Sequence, residues 1–472
     1  MNKVYVTTAI PYVNGAPHIG HAMDYCLADV YARYRRLCGD EVKFQAGVDE
    51  HGNKIFQKSK ELGLPVADYV KENAEKFMDF VEKLGVSYTD FIRTTDVDHE
   101  RRCQEIWRRL SDHIYKAKYE GWYCSGCERF ITQKEYDENN GVCPDHQKPY
   151  EKLVEENYYL RIADFKDQIR GAIESGEMSV LPEFRKKEVL KLLEESPDVS
   201  VSRSVEQLTW GVPVPDDDSQ VMYVWIDALS NYITILGYPD SDISEWWPAA
   251  AQFVGKDILR FHAIIWPAML IGLGLPLPKV LLSHGFVLAD GQKMSKSIGN
   301  VVDPIEVLDR HGLDAFRYYF LRHVDTFADS DFTWEKFEDA YNNELANDLG
   351  NLVQRLATLA MKNDVKLVEE PKFEMDAGYV ELMDKFEFSK AFDYAWDKVQ
   401  NLNKRIDEEK PWALAKNGET AKLQNCLRDL ICGLLNVNYM LSPFIPGTTE
   451  KIFEIFAGGD IKPPRTPLFP KH

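Results

Sequence analysis

The sequence predicts an α/β fold: a doubly wound sheet, interrupted by a cysteine-bearing insertion and followed by an α-helical bundle. Three observations predict it. Apolar strand patterns run through Pro/Gly-rich turns into helical patterns, first in "VYVTTAI", "PYVNGAPHIGH" and "AMDYCLADVYARYRRL". Cysteines with metal-ligand spacing crowd into residues 124 to 146, inside a segment spanning about 117–220. Beyond residue 343 the apolar residues recur at helical spacing.

Composition sets the frame. A chain of 472 residues, 44% hydrophobic, buries sizeable cores and divides into about three domains. Its net charge of −20 argues against a chain-wide nucleic-acid coat, although a local basic track is compatible with it. Residues 1–9, "MNKVYVTTA", read as a strand rather than a cleavable signal. The longest apolar run, Ala263 to Pro278, is broken by Pro267 and Pro276. It falls short of the roughly 20 residues a membrane helix needs, so it reads as a buried helix, with no membrane partner. Eight cysteines are too few for a secreted disulfide scaffold of this size, and the clustered ones point to metal in a reducing cytosol.

The first strand–turn–helix places His18 and His21 three apart at a helix start, on one side and near its partial positive charge. Gly20 removes a side chain where a flat ring could approach the backbone. No GxGxxG or P-loop pattern is present, so neither common nucleotide cradle explains the turn. A second turn, "FQAGVDEHGNKI", sets Asp49, Glu50 and His51 between Gly47 and Gly52; Asp49 there suits an amine or a metal-bound water. A third segment, "VMYVWIDALSNYITIL", runs from strand into helix with Trp225, Asp227 and Tyr232 near the crossover. In "VGKDILRFHAIIWPAML", Ile258, His262 and Trp266 are four apart, which on a helix stacks them on one face around an apolar pocket. Finally, "DGQKMSKSIGN" holds Lys293 and Lys296 with Ser295 and Ser297 interleaved, groups suited to a polyphosphate. Taken singly, each also fits an ordinary turn or core stripe.

Cys124-x2-Cys127, then fifteen residues, then Cys143-x2-His146 is tetrahedral zinc spacing, with four ligands and no open position, hence structural zinc. The other cysteines, Cys26, Cys38, Cys103, Cys426 and Cys432, read as free buried thiols. Further on, Leu345, Leu349, Leu352, Leu356 and Leu359 form an apolar stripe, with Asn351 and Arg355 four apart off it. Trp412 follows a helix-ending Lys410-Pro411. Exposed Asn, Arg and Trp side chains suit the reading of unstacked bases by hydrogen bonds and stacking.

"PHIGH" at 17–21 and "KMSKS" at 293–297 resemble the two signatures of the class I aminoacyl-tRNA synthetase family. "AIPYVNG", "GVDEHG", "YVWIDAL" and "FHAIIWPA", in that order, resemble its methionine branch, and the likeness covers essentially the whole chain. The resemblance implies an ATP-dependent ligase that joins L-methionine to ATP as methionyl-adenylate. The acyl group then passes to the 3′-terminal adenosine of initiator and elongator methionine tRNAs, usually at the 2′-hydroxyl. It implies that His18, His21, Lys293 and Lys296 are catalytic and contact ATP phosphates with Mg²⁺, and that Gly20, Gly255 and Asp257 help to hold ATP. Asp49 would take the ammonium of methionine; Ala9, Ile10, Tyr12, Trp225, Ala228, Leu229, Tyr232, Ile258, His262 and Trp266 would wall its side chain. Arg203 matches a family arginine near the site, and Asn351, Arg355 and Trp412 match readers of the CAU anticodon.

The organisation implied is a Rossmann-type catalytic domain in two halves, 1–116 and 221–285, around a connective-peptide insertion, 117–220, with one zinc knuckle. A KMSKS and stem-contact region, 286–342, and a helical anticodon-binding domain, 343–472, complete it. The fourth zinc ligand, His146, departs from the family's cysteine. The C-terminal module of longer relatives is missing, which implies a cytoplasmic monomer. Other enzymes fit less well. A coenzyme-making nucleotidyltransferase would have no use for Asn351, Arg355 and Trp412. An enzyme for leucine, isoleucine or valine needs a larger editing insertion, and one for cysteine puts zinc in its amino-acid pocket. A non-catalytic tRNA-binding protein would tolerate decay of the two signatures, and both are intact.

Overall fold

A computed structural model describes residues 2–124, 129–145, 147–289, 291–293, 302–367, 373–457 and 460–471. The chain divides into two compact units. The first comprises Met1–Pro17, Glu41–Phe80 and Tyr88–Ser283; the second comprises His18–Asp40, Val81–Ser87 and His284–His472.

Parallel strands buried on both faces read as nearly continuous apolar runs, and Lys3–Thr8 and Glu41–Val48 are such runs. They lie at the centre of a six-stranded sheet ordered Asp90–Arg93, Glu41–Val48, Lys3–Thr8, Ala251–Gly255, Val280–His284, Ser179–Leu181. Asp90–Arg93 with Glu41–Val48, Glu41–Val48 with Lys3–Thr8, Lys3–Thr8 with Ala251–Gly255, and Val280–His284 with Ser179–Leu181 all pair in parallel. The strand order therefore reverses around Lys3–Thr8. In an open α/β sheet that switch point is where ligands bind, off the carboxyl ends of the strands. The residues leaving those ends are Ala9 to Val13, Asp49 to His51, Thr94 and Asp257.

A second sheet in this unit is antiparallel, ordered Arg129–Ile131, Ile114–Cys124, Glu151–Leu160, Val199–Ser200. It begins near the expected insertion boundary, but the insertion is not a closed module. Strand Ser179–Leu181, inside 117–220, pairs with Val280–His284 and edges the main sheet. The strand before Trp225 also differs from expectation. Gln220–Met222 pairs antiparallel with Ser202–Ser204 in a sheet of two, not with the parallel strands. Its residues alternate too briefly for sequence to tell which partner wins.

In the second unit, helix Ile19–Leu37 is buried along most of its length. A small sheet joins Val287–Ala289 to Gln292–Lys293 and to Ser330–Phe332. The other described elements of this unit are helices, from Pro304–His311 to Pro446–Ala457. Arg317, on helix Leu313–Arg322, is fully buried. It bonds Asp29 at 2.8 Å and donates to the carbonyls of Phe444 at 2.6 Å and Pro443 at 2.9 Å. Asp29 also accepts from Arg33 at 2.7 Å and from the backbone and hydroxyl of Ser87 at 2.7 and 2.6 Å. One buried ion pair thus ties helix Ile19–Leu37 to residues 81–87 and to the corner before the last helix. Burial would raise the Asp29 carboxyl, but Arg317 and Arg33 hold it below its ordinary range.

Four of the five stripe leucines are buried; Leu359 is half-exposed. The segment Ala340–Gly350 is a π-helix, whose wider turn shifts the phase, so Val353, Ala357 and Ala360 complete the face. Cys38 is exposed and Cys432 half-buried, against the expectation of buried thiols. Among the described residues no helix is long and apolar enough to cross a membrane.

Candidate active site

Asp49 follows directly from strand Glu41–Val48, and the loop after Lys3–Thr8 closes on it. The Val13 amide donates to the Asp49 carbonyl at 3.1 Å, and the Asp49 amide to the Pro11 carbonyl at 2.9 Å. Tyr12 and Asp49 thereby form a parallel bridge. Gly47 permits the approach, because an added Cβ would meet Ile92 at 2.5 Å and Ile10 at 3.0 Å. The Asp49 carboxylate is almost fully buried. It accepts from the His51 amide at 3.1 Å and the Thr94 hydroxyl at 3.3 Å. Thr94 in turn accepts from the Glu50 amide at 2.8 Å. A carboxylate fixed this way is a pre-oriented partner for an ammonium group.

Although Tyr12 packs against two others, most of the apolar pocket residues belong to one cluster of the same unit. Ala9, Leu229, Tyr232 and Trp266 are buried in it; Trp225, Ile258 and Phe261 pack against it. Ala228 is also buried. Trp225 stacks on Phe261 with ring centroids 3.6 Å apart, and Tyr232 lies 5.6 Å from Trp266. Val224, just before Trp225, takes φ 46°, a strained value for a β-branched residue, and so turns the chain sharply into helix Trp225–Thr234.

Sequence spacing put Ile258, His262 and Trp266 on one α-helical face. Instead Ile258 sits in a turn, Phe261–Ile265 is a π-helix, and an α-helix resumes only at Trp266. The wide turn leaves the Ile258 carbonyl accepting from His262 Nδ1 at 3.0 Å. That fixes the proton on Nδ1, so Nε2 accepts the Tyr232 hydroxyl at 2.7 Å. Burial pushes His262 down to about 4, and it is neutral at pH 7. Trp266 donates its indole N–H to Gln252 at 3.1 Å, and Gln252 donates to Thr7.

Behind Asp49 runs a buried polar network. His51 Nδ1 meets Asp227 Oδ2 at 2.7 Å, and His99 Nε2 meets Asp227 Oδ1 at 2.8 Å. His99 Nδ1 reaches Thr234 at 2.7 Å. Burial alone would lower the His51 pKa, but Asp227, with Asp49 and Glu100 behind it, raises it to about 9. Burial disfavours the Asp227 anion, yet its two histidines hold the carboxyl well below its ordinary range. His99, Cys103 and Asp227 place ligand-type atoms within 4.8 Å of one another. The group is satisfied without an ion: Asp227 accepts from both imidazoles, His99 Nδ1 is engaged by Thr234, and burial pushes the Cys103 thiol up. Sequence drew attention to His51 and Asp227 separately but not to their pairing, and it missed His99 and Phe261. His99 sits in "TTDVDHE", where no periodicity marks it.

In the second unit His18 caps helix Ile19–Leu37. Its Nδ1 accepts from the Gly20 amide at 3.1 Å, and His21 Nδ1 accepts from the His18 amide at 3.2 Å. The two rings stack at 3.7 Å. A Cβ on Gly20 would press on the His18 ring at 3.0 Å, so glycine is needed for the pair rather than for a ligand's ring alone. Burial, reinforced by the His18 neighbour, holds His21 well below its ordinary pKa. It is therefore a neutral hydrogen-bonding group at pH 7. Lys293 ends the two-residue strand Gln292–Lys293, and Lys296 lies outside the described residues. In the first unit Gly255 ends its strand, with Asp257 exposed in the turn beyond. Arg203 is buried, its guanidinium 3.8 Å from the Tyr223 ring, and it donates to Ser200 and Ser202.

Cys124 and Cys143 are buried in one small cluster with Ile131 and Tyr150. The chain turns tightly at the second, where the Cys143 amide donates to Lys148 and the Gln147 amide to Cys143. Cys127 and His146 lie outside the described residues. In the second unit Arg355 lies 5.9 Å from the Trp412 ring and pairs with Asp407 at 2.7 Å. Asn351 donates to Asn347, and Trp412 is 46% exposed, leaving a ring face for stacking. Lys410 takes the left-handed conformation ahead of Pro411, which ends one helix and starts the next as the sequence predicts.

Residues 4–154 and 140–357 match the family described as tRNA synthetases class I (M). The methionine--tRNA ligase of Caldanaerobacter subterraneus is 42% identical over 95% of this chain and 73% of its own, and that of Thermotoga maritima 38% over 96% and 75%. The methionyl-tRNA synthetase of Mycobacterium tuberculosis, solved in complex with methionyl-adenylate, superposes with a TM-score of 0.91 at 35% identity, covering all of both chains. The chain belongs to the class I tRNA synthetases, among the methionine--tRNA ligases.

Proposed function

We propose that this chain activates L-methionine with ATP to methionyl-adenylate and transfers the methionyl group to the 3′-terminal adenosine of methionine tRNAs, initiator and elongator alike. Membership of its family supplies the activity; the residue assignments are our own reading. Asp49 takes the ammonium. Ala9, Ile10, Tyr12, Trp225, Ala228, Leu229, Tyr232, Ile258, His262 and Trp266 enclose the side chain. The Tyr232–His262 hydrogen bond inside an aromatic wall carries this reading. His262 is neutral and engaged at both ring nitrogens, so the pocket offers a lysine or glutamate side chain no countercharge. A thioether needs none, and aromatic edges attract its polarisable sulfur.

Gly255 and Asp257 in the first unit contact the adenosine; in the second, Gly20 leaves room for the His18 ring that meets ATP. His18 and His21 donate to phosphate oxygens as the carboxylate attacks the α-phosphorus. Lys296, with Lys293, stabilises the pyrophosphate that leaves. Mg²⁺, bound to the phosphates, adds further charge neutralisation there. Arg203, stacked on Tyr223, is too enclosed to be assigned more than a supporting part. The five-segment organisation, a cytoplasmic location and a monomeric state are part of the same reading. Charging total tRNA with labelled methionine and identifying the acceptors by anticodon tests it. Only CAU-bearing tRNAs are expected, and charging of any other set contradicts the anticodon assignment.

Cys124, Cys127, Cys143 and His146 hold a structural zinc. Two thiols buried in one cluster, the second at a tight turn, suit thiolate ligands, and metal binding there is coupled to folding of the insertion. Cys124→Ser with Cys143→Ser is expected to reduce bound zinc from one equivalent towards none and to loosen the insertion to proteolysis. Elemental analysis finding no zinc in wild-type protein purified without chelator would sink the assignment.

Asn351, Arg355 and Trp412 read the anticodon. Trp412→Ala removes a stacking platform, expected to cost roughly 1–3 kcal/mol per base and so roughly tenfold or more in tRNA charging. Arg355→Ala acts in the same direction. Methionine-dependent pyrophosphate exchange, which needs no tRNA, stays near wild type in both. Equal loss in both assays signals misfolding, and loss in neither removes these residues from the anticodon site.

A further inference from the structure

The turn that carries Asp49 and the helix that carries Trp225, Ala228 and Leu229 are joined through a buried pair, His51 and Asp227. We propose that His51 is a positioning residue for the amino acid: its side chain, clamped on Asp227, and its backbone N–H, bonded to Asp49, together set the ammonium-binding carboxylate at a fixed spacing from the side-chain pocket. This rests on the reading of Asp49 as the partner of the methionine ammonium.

Both bonds come from one residue. The His51 amide meets Asp49 Oδ1 at 3.1 Å, while its Nδ1 meets Asp227 Oδ2 at 2.7 Å. The side-chain clamp on Asp227 anchors the stretch of backbone whose N–H holds Asp49, so a shift of the His51 backbone moves both bonds together. Asp227 stands in the first turn of helix Trp225–Thr234 and cannot swing to follow, because His99 holds its other oxygen at 2.8 Å. His99 is held in turn by Thr234 on the last turn of the same helix. The remaining faces of His51 are closed by Glu100, whose Oε1 lies 3.7 Å from Nε2, and by the Trp210 ring at 5.6 Å. Trp210 is itself tied to the Glu50 carbonyl at 2.6 Å. The pieces that grip the two ends of an amino acid, its charged amine and its apolar side chain, are thus locked by buried polar contacts among Asp49, His51, His99, Asp227 and Thr234, none of them a residue assigned to ATP. Misplacing one end by an ångström spoils the fit at both, whereas contacts with the nucleotide stay as they were.

The test is amino-acid-dependent pyrophosphate exchange with methionine and ATP varied separately. His51→Ala is expected to raise the KM for methionine roughly tenfold or more, with the KM for ATP changed less than about twofold. His51→Asn puts an amide nitrogen near the place of Nδ1, able to donate to Asp227, and is expected to recover most of the loss. A pair that merely stabilised the fold would lower the melting temperature without separating the two KM values. Unchanged methionine KM in His51→Ala, equal rises for methionine and ATP, or no recovery in His51→Asn would each overturn the proposal. If His51→Ala does not fold, Asp227→Asn gives the same selective rise or overturns the proposal by its absence. Asp49→Asn, run alongside, separates the two levels. If it leaves the methionine KM unchanged, the reading of Asp49 fails and the positioning role fails with it. If it raises that KM while the His51 variants do not, the positioning role alone is wrong.

Discussion

Replacing Lys296 by alanine is expected to slow adenylate formation by roughly 10²–10³-fold, the usual loss for one preorganised group aimed at charge that develops in a transition state. Methionine binding, measured at equilibrium without ATP, stays within about twofold. The separation follows from where charge grows. As the α-phosphorus is attacked, negative charge builds on the departing pyrophosphate, and an ammonium group in reach of it interacts more strongly with the transition state than with bound ATP. Lys293→Ala is expected to act in the same direction to a smaller extent. Rapid-quench measurement of the first turnover checks this directly, and an unchanged rate for Lys296→Ala removes it from the chemistry.

Breaking the buried pair in the second unit has the largest expected effect on stability. Arg317→Met leaves Asp29 without its main countercharge at a fully buried position, and Asp29→Ala leaves Arg317 in the same state. Either change is expected to lower unfolding free energy by about 3–5 kcal/mol. Replacing both members by apolar residues of similar volume restores much of it, since no unpaired charge remains. Urea midpoints of the two single variants and the double variant measure this; a double variant as unstable as the sum of the singles contradicts it. The pair also has a pH signature. Although burial favours the neutral acid, Arg317 and Arg33 depress the Asp29 carboxyl below its unfolded value. Its contribution is therefore present above an unfolded carboxyl pKa of about 3.9 and is lost as pH falls through the lower folded value. The stability gap between wild type and Asp29→Ala narrows over that acid range and is constant above it.

Much of this architecture was legible in the sequence, because the signals were local. The strand at residues 3–8 and the helix at 19–37 follow from apolar period and turn chemistry, and so does the break at Lys410-Pro411. Asp49 stood out because it lies between two glycines at a strand end. What sequence could not give is pairing. Gln220–Met222 reads as one more core strand, yet it finds an antiparallel partner eighteen residues upstream. Ser179–Leu181 gives no sign that it edges the main sheet across a hundred residues. Spacing of four suggested an α-helical face for Ile258, His262 and Trp266, but the π-helix changes which groups meet, and only coordinates show His262 Nδ1 on the Ile258 carbonyl. The His51–Asp227–His99 network joins residues 51, 99 and 227, and no periodicity links them.

Tyr232, His262 and Trp266 are proposed to shape the pocket that selects methionine for activation by ATP. Pyrophosphate exchange, run on the purified protein with each of the standard amino acids in turn, tests this proposal most directly. Methionine is expected to drive exchange, with the branched aliphatic amino acids at least roughly a hundredfold poorer in kcat/KM, the order of discrimination a shaped apolar pocket gives between near neighbours. Exchange driven better by another amino acid, or by none, would overturn this assignment of the pocket.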